Sequence, residues 1–256
     1  MRLVNFAAEL ATALEMAART PRLLVTSDFD GTLSPIVNNP ADARALPEAG
    51  QALTELADLP ATAAALISGR SVRDLRSLSE MPPTVCLVGS HGAEFDSGFS
   101  KEIDLELLQT ITDTLAAIAS GKPGVTIETK PASVALHVRN ASPVHGEDAL
   151  REARAASNSW GAHATEGKAV LEFAVISTDK GEAIDILREQ NDATAVVFFG
   201  DDVTDEKAFR RLRMADIGVK VGPGETAASY RIDSPDHVAA ALSHLLDVRR
   251  GWTDRR

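Results

Sequence analysis

Short apolar runs alternate with stretches of helical period at both ends of the chain. Leu23 to Ser27, Thr62 to Ser68 and Thr84 to Gly89 read as strands, with helices predicted over Pro47 to Leu59 and Ser71 to Glu80. The pattern resumes with a helix over Asp179 to Asn191, a strand over Ala195 to Phe199 and a helix over Thr204 to Arg213. A strand over Asp216 to Val221 and a last helix from Pro235 complete it. Alternating strands and helices predict a parallel sheet covered on both faces, so the two ends together predict one doubly wound, Rossmann-like α/β core.

The middle of the chain has a different rhythm. After a helix around Ile103 to Ala119, Val125 to Lys130 and Ser133 to Asn140 are strand-like and joined through Pro131-Ala132, which predicts an antiparallel hairpin. A helix around His145 to Ser157 and two further strand-like pieces, Gly161 to Thr165 and Lys168 to Val175, follow. This predicts an inserted α+β domain at residues 102–176, with the core at 1–101 and 177–256. Period-two alternation puts Val134, Leu136 and Val138 on one side and Ser133, His137 and Arg139 on the other. Glu128 and Lys130, and Lys168 and Glu172, fall on polar faces in the same way. Such a face suits either a solvated surface with cross-strand ion pairs or a polar binding surface.

Composition narrows the function classes. A 256-residue chain with 44% hydrophobic and 25% charged residues is long enough for a buried core. Its net charge of -11 argues against a broad nucleic-acid surface, which needs clustered cations. The single cysteine, Cys86, allows no intramolecular disulfide or thiolate-rich metal site and fits a reducing compartment. Glu9 and Glu15 break up the apolar N-terminal stretch, which reads as an amphipathic helix. No run reaches the roughly 18 to 20 apolar residues of a membrane span. A cytoplasmic monomer with neither membrane nor nucleic-acid partner is expected, and the C-terminal RRGWTDRR reads as a frayed tail.

Chemistry enters at the carboxyl ends of the predicted strands, where doubly wound sheets bind ligands. TSDFDGTL places Asp28 and Asp30 after the first strand, Ser68-Gly69-Arg70 follows the second, and Gly200-Asp201-Asp202 follows a later one. Converging carboxylates need a cation, and hard oxygen ligands that leave room for a phosphate suit Mg²⁺. With Asp28 as nucleophile toward phosphorus, Asp30 is placed to protonate the leaving oxygen and then to deprotonate water. Gly31 allows a tight turn, after which Thr32 onward can present backbone N–H groups to phosphate oxygens. Ser68 suits a phosphate contact or a helix cap. Lys180, in a first helical turn, suits an anionic partner or a plain surface position. In GDDVTDE, Asp201 is a candidate metal ligand supported by Asp202 and Asp205, or the group is an acidic helix start.

DFDGTL, SGR, the lysine of DKG and GDDVTDE, in this order, resemble the four motifs of the haloacid dehalogenase superfamily. The insert between SGR and DKG is similar in position to that superfamily's C2-type cap. LVGSHGAEF, ETKPASVALHVR and EGKAVLEF extend the resemblance to trehalose-6-phosphate phosphatases, from about Leu23 to Leu246; Phe173-Ala174-Val175 stands where these often carry an Arg-Pro pair. The resemblance implies Mg²⁺-dependent hydrolysis of trehalose 6-phosphate through an aspartyl phosphate, the final step of trehalose biosynthesis. It implies Asp28 as nucleophile, Asp30 as acid/base, and Ser68 and Lys180 as phosphate binders. Asp28, Asp201 and the backbone carbonyl of Asp30 would be metal ligands, with Asp202 and Asp205 behind them. Sugar contacts would come from Arg70, His91, Gly92 and Glu94 on the core, and from Glu128, Lys130, His137, Arg139, Lys168 and Glu172 on the cap. Another sugar-phosphate phosphatase, for sucrose phosphate or a glycosyl phosphoglycerate, and a binding module without turnover are the alternatives.

Overall fold

The computed structural model describes residues 6–167, 169–176 and 178–255. In chain order the first elements are α1 (Ala8–Ala18), β1 (Leu23–Ser27), α2 (Pro47–Ala57), β2 (Thr62–Ile67), α3 (Val72–Ser79) and β3 (Val85–Gly89). Then come β4 (Glu94–Phe95), β5 (Gly98–Phe99), α4 (Leu105–Ala119), β6 (Thr126–Lys130), β7 (Ser133–His137) and α5 (Pro143–Ser157). The chain continues with β8 (His163–Gly167), β9 (Val170–Ala174), α6 (Lys180–Gln190) and β10 (Ala195–Gly200). It ends with α7 (Asp205–Arg211), β11 (Ile217–Val221), β12 (Tyr230–Ile232) and α8 (Pro235–Thr253). These elements form two compact units, Met1–Gly98 with Thr178–Arg256, and Phe99–Ser177.

The first unit is built on a sheet of order β12-β11-β10-β1-β2-β3-β4-β5, parallel from β12 to β3 and antiparallel at β4. From β1 the chain runs outward to β2 and β3, and after the inserted residues it returns to β10 on the other side of β1. The carboxyl ends of β1 and β10 therefore flank the switch point at which such sheets open a crevice. Alternation divides the core between the faces. Leu23 and Val25 of β1 and Val197 and Phe199 of β10 pack with Leu10, Leu53, Leu56, Leu242 and Leu245 of α1, α2 and α8. Leu24, Val196 and Phe198 pack with Ile184, Leu187 and Phe209 of α6 and α7. Each fully buried Leu or Phe contributes roughly 1.5 to 3 kcal/mol.

The second unit is a four-stranded antiparallel sheet of order β6-β7-β9-β8. Val134, Leu136, Leu171 and Phe173 line one face and pack with Ile111 and Leu115 of α4 and Ala149 and Ala153 of α5. Trp160 meets Phe173 edge to face at 5.0 Å.

Three expectations are corrected. β7 ends at His137, because Val138 donates to Ala169 O at 3.0 Å and Ala141 closes a turn onto Val138 O at 3.1 Å. Arg139 thus stands in a turn and not on the strand. β8 runs to Gly167, further than predicted, because it pairs with β9 up to Gly167 opposite Val170 across a two-residue loop whose Ala169 has φ 62°. The described part of the C-terminal segment is not frayed: α8 continues to Thr253, and the Arg249 guanidinium lies 4.6 Å from the Trp252 ring centroid. The N-terminal helix forms from Ala8, and the first five residues of that prediction lie outside the described residues. Cys86, half-buried on β3, has its thiol pushed up to about 11 by burial and by the Asp96 charge, so it stays protonated.

Candidate active site

Strand β1 stops where its side chains change character. Asp28, 4% exposed, still joins the sheet through its N–H, which donates to Phe199 O at 2.8 Å. The next turn is tight: Leu33 and Ser34 donate to Phe29 O at 3.0 and 2.8 Å, Thr32 reaches it at 3.4 Å, and Gly31 donates to Ser34 O at 2.7 Å. The expectation that amides from Thr32 onward face a phosphate is corrected, since the turn itself consumes them. Gly31 adopts φ 80°, and a Cβ there would collide with the Asp201 carboxylate, so two constraints demand glycine at this position.

Lys180 is the hub of the buried charges. It is the first residue of α6, whose N-cap Asp179 accepts from Glu182 N at 2.9 Å. Its ammonium donates to Asp28 Oδ1 at 2.6 Å and to Asp205 Oδ1 at 2.7 Å, and all three side chains are within 5% of full burial. The other oxygen of Asp205 accepts from the N–H groups of Asp201 and Asp202, both at 2.9 Å. GDDVTDE therefore folds back on itself: the Asp205 carboxylate at the start of α7 ties the loop after β10 to Lys180. The carboxylates of Asp28, Asp201 and Asp205 each bring an oxygen within 4.8 Å of the others.

Carboxylates outnumber ammonium groups here, and their titration reflects it. Burial pushes Asp28 well above the ordinary carboxylate range, opposed by Lys180 and reinforced by Asp205 and Asp201. Asp201 is raised to about 6 by burial and by Asp205 and Asp202, with Lys180 and Lys220 opposing. Burial works to lower Lys180, but the Asp28 and Asp205 charges outweigh it and hold the ammonium above its usual value. Surplus buried negative charge, together with an Asp201 Oδ1 that has no hydrogen-bond partner among the described residues, is the environment a divalent cation relieves.

Asp30 faces another cation. Its two oxygens accept from Arg70 Nε at 2.6 Å and an Arg70 Nη at 2.7 Å. Ser68, 1% exposed, accepts from Arg70 N at 3.2 Å, while the N-cap of α3 is Ser71, bonded to Asp74 N at 3.1 Å. Ser68 is thus not the helix cap. His91 lies in a left-handed turn with φ 55° and donates its N–H to Ser68 O at 2.9 Å. Gly92 has φ 107°, and a Cβ there would come within 2.6 Å of Asp179 O. Glu94 accepts from Val72 N at 2.9 Å and Ser90 Oγ at 3.2 Å, so it braces the start of α3 against the His91 turn.

Of the predicted metal residues, Asp28, Asp201 and Asp205 converge through their carboxylates. The Asp30 side chain is taken up by Arg70, and the exposed Asp202 carboxylate bonds the Val203 N–H. Lys220 was not foreseen. It is 5% exposed on β11 and donates to the carbonyls of Asp201 and Val221. A lysine inside the otherwise apolar run IGVKV was the available signal.

In the second unit, Lys130 donates to both oxygens of Glu172 at 3.0 and 2.9 Å, and Ser133 donates to Glu172 Oε1 at 2.6 Å. Glu128 and His137 meet at 2.8 Å. Arg139 is exposed, and Lys168 lies outside the described residues.

A family model described as trehalose-phosphatase matches residues 26–236. An uncharacterized glycosyl hydrolase of Mycobacterium tuberculosis is 32% identical over 91% of this chain, which spans 19% of that protein. The trehalose-phosphate phosphatase of Mycobacterium avium is 32% identical over 92% of the chain, which spans 65% of it. The trehalose-6-phosphate phosphatase of Escherichia coli is 35% identical over 80% of the chain and 79% of its own length. The chain thus spans less than two thirds of the first relatives it matches. Among solved structures, Aspergillus fumigatus trehalose-6-phosphate phosphatase superposes with a TM-score of 0.71 at 27% identity, over 94% of this chain and 98% of that one. Among the described residues no helix is long and apolar enough to cross a membrane.

Proposed function

Because the chain belongs to the trehalose-phosphatase family, we propose that it hydrolyses trehalose 6-phosphate to trehalose and inorganic phosphate, with Mg²⁺, as the last step of trehalose synthesis. The observation that carries this reading is the buried Asp28 carboxylate at the carboxyl end of the central strand, 2.6 Å from the Lys180 ammonium, with Asp201 and Asp205 alongside. A buried carboxylate set among other carboxylates and one lysine suits a nucleophile toward a phosphate dianion better than a structural ion pair, because its charge is left incompletely balanced.

Asp28 attacks phosphorus in line. A bond forms from its oxygen to phosphorus, the bond from phosphorus to the sugar oxygen breaks, and Asp30 gives that oxygen a proton. Water then adds to the aspartyl phosphate with Asp30 taking its proton, and Asp28 leaves as the carboxylate. Lys180 and Ser68 balance charge on the equatorial oxygens. Asp28, Asp201 and the Asp30 carbonyl, with Asp205 and Asp202 behind them, would hold Mg²⁺, which would supply positive charge to offset repulsion between nucleophile and phosphate.

The second unit is read as the cap domain, and its polar face as a sugar-recognising surface formed by Glu128, Lys130, His137, Arg139, Lys168 and Glu172. On the first unit, Arg70, His91, Gly92 and Glu94 are read as the remaining sugar contacts. Polar groups left unpaired by a wrong sugar cost roughly 1 to 3 kcal/mol each, which is how such a face discriminates. The reading fits a cytoplasmic enzyme, since the lone thiol has no disulfide partner. Phosphate release from trehalose 6-phosphate, glucose 6-phosphate, sucrose 6-phosphate and an aryl phosphate, compared with and without Mg²⁺, tests it. Strong preference for trehalose 6-phosphate is expected; equal turnover of all four would overturn the substrate assignment, and no turnover of any would overturn the chemistry.

A further inference from the structure

We propose that Arg70 is a positioning residue for Asp30 in the hydrolysis of the aspartyl phosphate, beyond any contact it makes with the sugar. The inference rests on the reading of Asp28 as nucleophile and Asp30 as acid/base. Both Asp30 oxygens accept from one guanidinium, at 2.6 and 2.7 Å, a two-pronged contact that a carboxylate satisfies and a protonated carboxyl cannot satisfy in full. The guanidinium is itself held. It donates to Pro40 O at 2.9 Å, lies 5.8 Å from the Phe29 ring centroid, and follows a backbone N–H bonded to Ser68 Oγ at 3.2 Å. Arg70 therefore ties together the loop that carries the nucleophile, the loop that carries Ser68, and the acid/base between them. The pair is only partly exposed, 17% for the Arg70 side chain and 33% for Asp30.

The direction of the effect follows from the part Asp30 plays in each half-reaction. In the first half-reaction Asp30 gives up a proton; in the second it accepts one. There the water oxygen bonds to phosphorus, its proton passes to the Asp30 carboxylate, and the bond from phosphorus to Asp28 breaks, yielding inorganic phosphate and the free Asp28 carboxylate. Where the leaving group departs without a proton, the orientation that Arg70 gives Asp30 matters only in the second half-reaction, in which its carboxylate must meet the attacking water. Loss of Arg70 should therefore slow dephosphorylation more than phosphorylation. That asymmetry separates positioning from sugar binding.

The test is rapid mixing of p-nitrophenyl phosphate, Mg²⁺ and excess substrate over enzyme, because nitrophenolate leaves without a proton and carries no sugar. Asp30→Asn and Arg70→Ala should each release about one equivalent of nitrophenolate in a burst, then turn over about a hundredfold more slowly than the unsubstituted protein. The double variant should be no slower than Asp30→Asn alone, and Arg70→Lys, with a less specific donor geometry, should regain part of the rate. Arg70→Lys also preserves the charge, so its burst remains a readout where Arg70→Ala does not fold. A burst in Asp30→Asn with full, burst-free turnover in both Arg70 variants would overturn the role of Arg70 and leave that of Asp30 standing. A loss that shows no burst, or that adds to Asp30→Asn, would assign Arg70 to substrate contact or to folding and overturn the inference. Full turnover in Asp30→Asn would remove the acid/base reading and the inference with it.

Discussion

Two lysines in this protein each sit against carboxylates, and they differ in what surrounds them. Lys180 is 2% exposed and shared by Asp28 and Asp205, with Asp201 close by. Lys130 is 27% exposed and answers one carboxylate, that of the 24% exposed Glu172. The first cluster keeps more carboxylates than the Lys180 and Lys220 charges that oppose them, which on the proposed reading suits a cation and an electrophile. The second is balanced and screened, so it costs little to open when a hydroxyl competes for its hydrogen bonds. On the proposed reading, burial makes the same pair of functional groups reactive in one unit and adaptable in the other.

The comparison breaks first at the proposed nucleophile. Asp28→Asn is expected to lower turnover of trehalose 6-phosphate at least about 10⁴-fold while circular dichroism remains unchanged; substantial residual turnover would remove Asp28 from its role. Lys180→Met leaves buried carboxylates without their partner and should destabilise the first unit by about 3 to 5 kcal/mol in urea unfolding, part of it regained with a divalent cation. The equivalent change in the second unit is far milder. Lys130→Met should shift stability by less than about 1 kcal/mol and show its effect as a raised KM for trehalose 6-phosphate.

A smaller effect sharpens the electrostatic side. Asp201 titrates at about 6 in the metal-free protein, above the ordinary carboxylate value. A carboxyl raised on folding stabilises the fold fully below its unfolded value of about 3.9, and this contribution is lost as pH rises through the folded value. A cation binds the ionised form, so the gain in Tm on adding Mg²⁺ should be several degrees at about pH 7.5 and smaller at about pH 5.5. An equal gain at both values would show that Asp201 is ionised throughout.

The order of the core was legible because strands β1, β2, β3, β10 and β11 are apolar runs bounded by polar turn residues, and such runs declare themselves locally. β4, β5 and β12, of two or three residues, are too short to carry a period. In the site, the spacing of Asp28 and Asp30 and the acidic run after β10 were visible. Their partners were not: that Asp30 answers Arg70 and that Glu94 braces a helix start depend on contacts across 40 and 22 residues. Lys220 was hidden for a similar reason, since its carbonyl partner on Asp201 lies 19 residues away.

The pairing of β1 with β10 also bears on how the molecule reaches this state. Leu23 to Ser27 hydrogen-bond to Ala195 to Phe199, and the contact between Asp28 and Lys180 spans 152 positions. Residues of the inserted unit, by contrast, find their sheet partners within one contiguous stretch of the chain. Loop-closure entropy must be met before distant pairings reward it, so the inserted unit is expected to acquire hydrogen-exchange protection early, with the first unit's central strands following. Asp28, the proposed nucleophile, is then among the last residues to find its environment, so on the proposed reading a partly folded chain stays chemically silent.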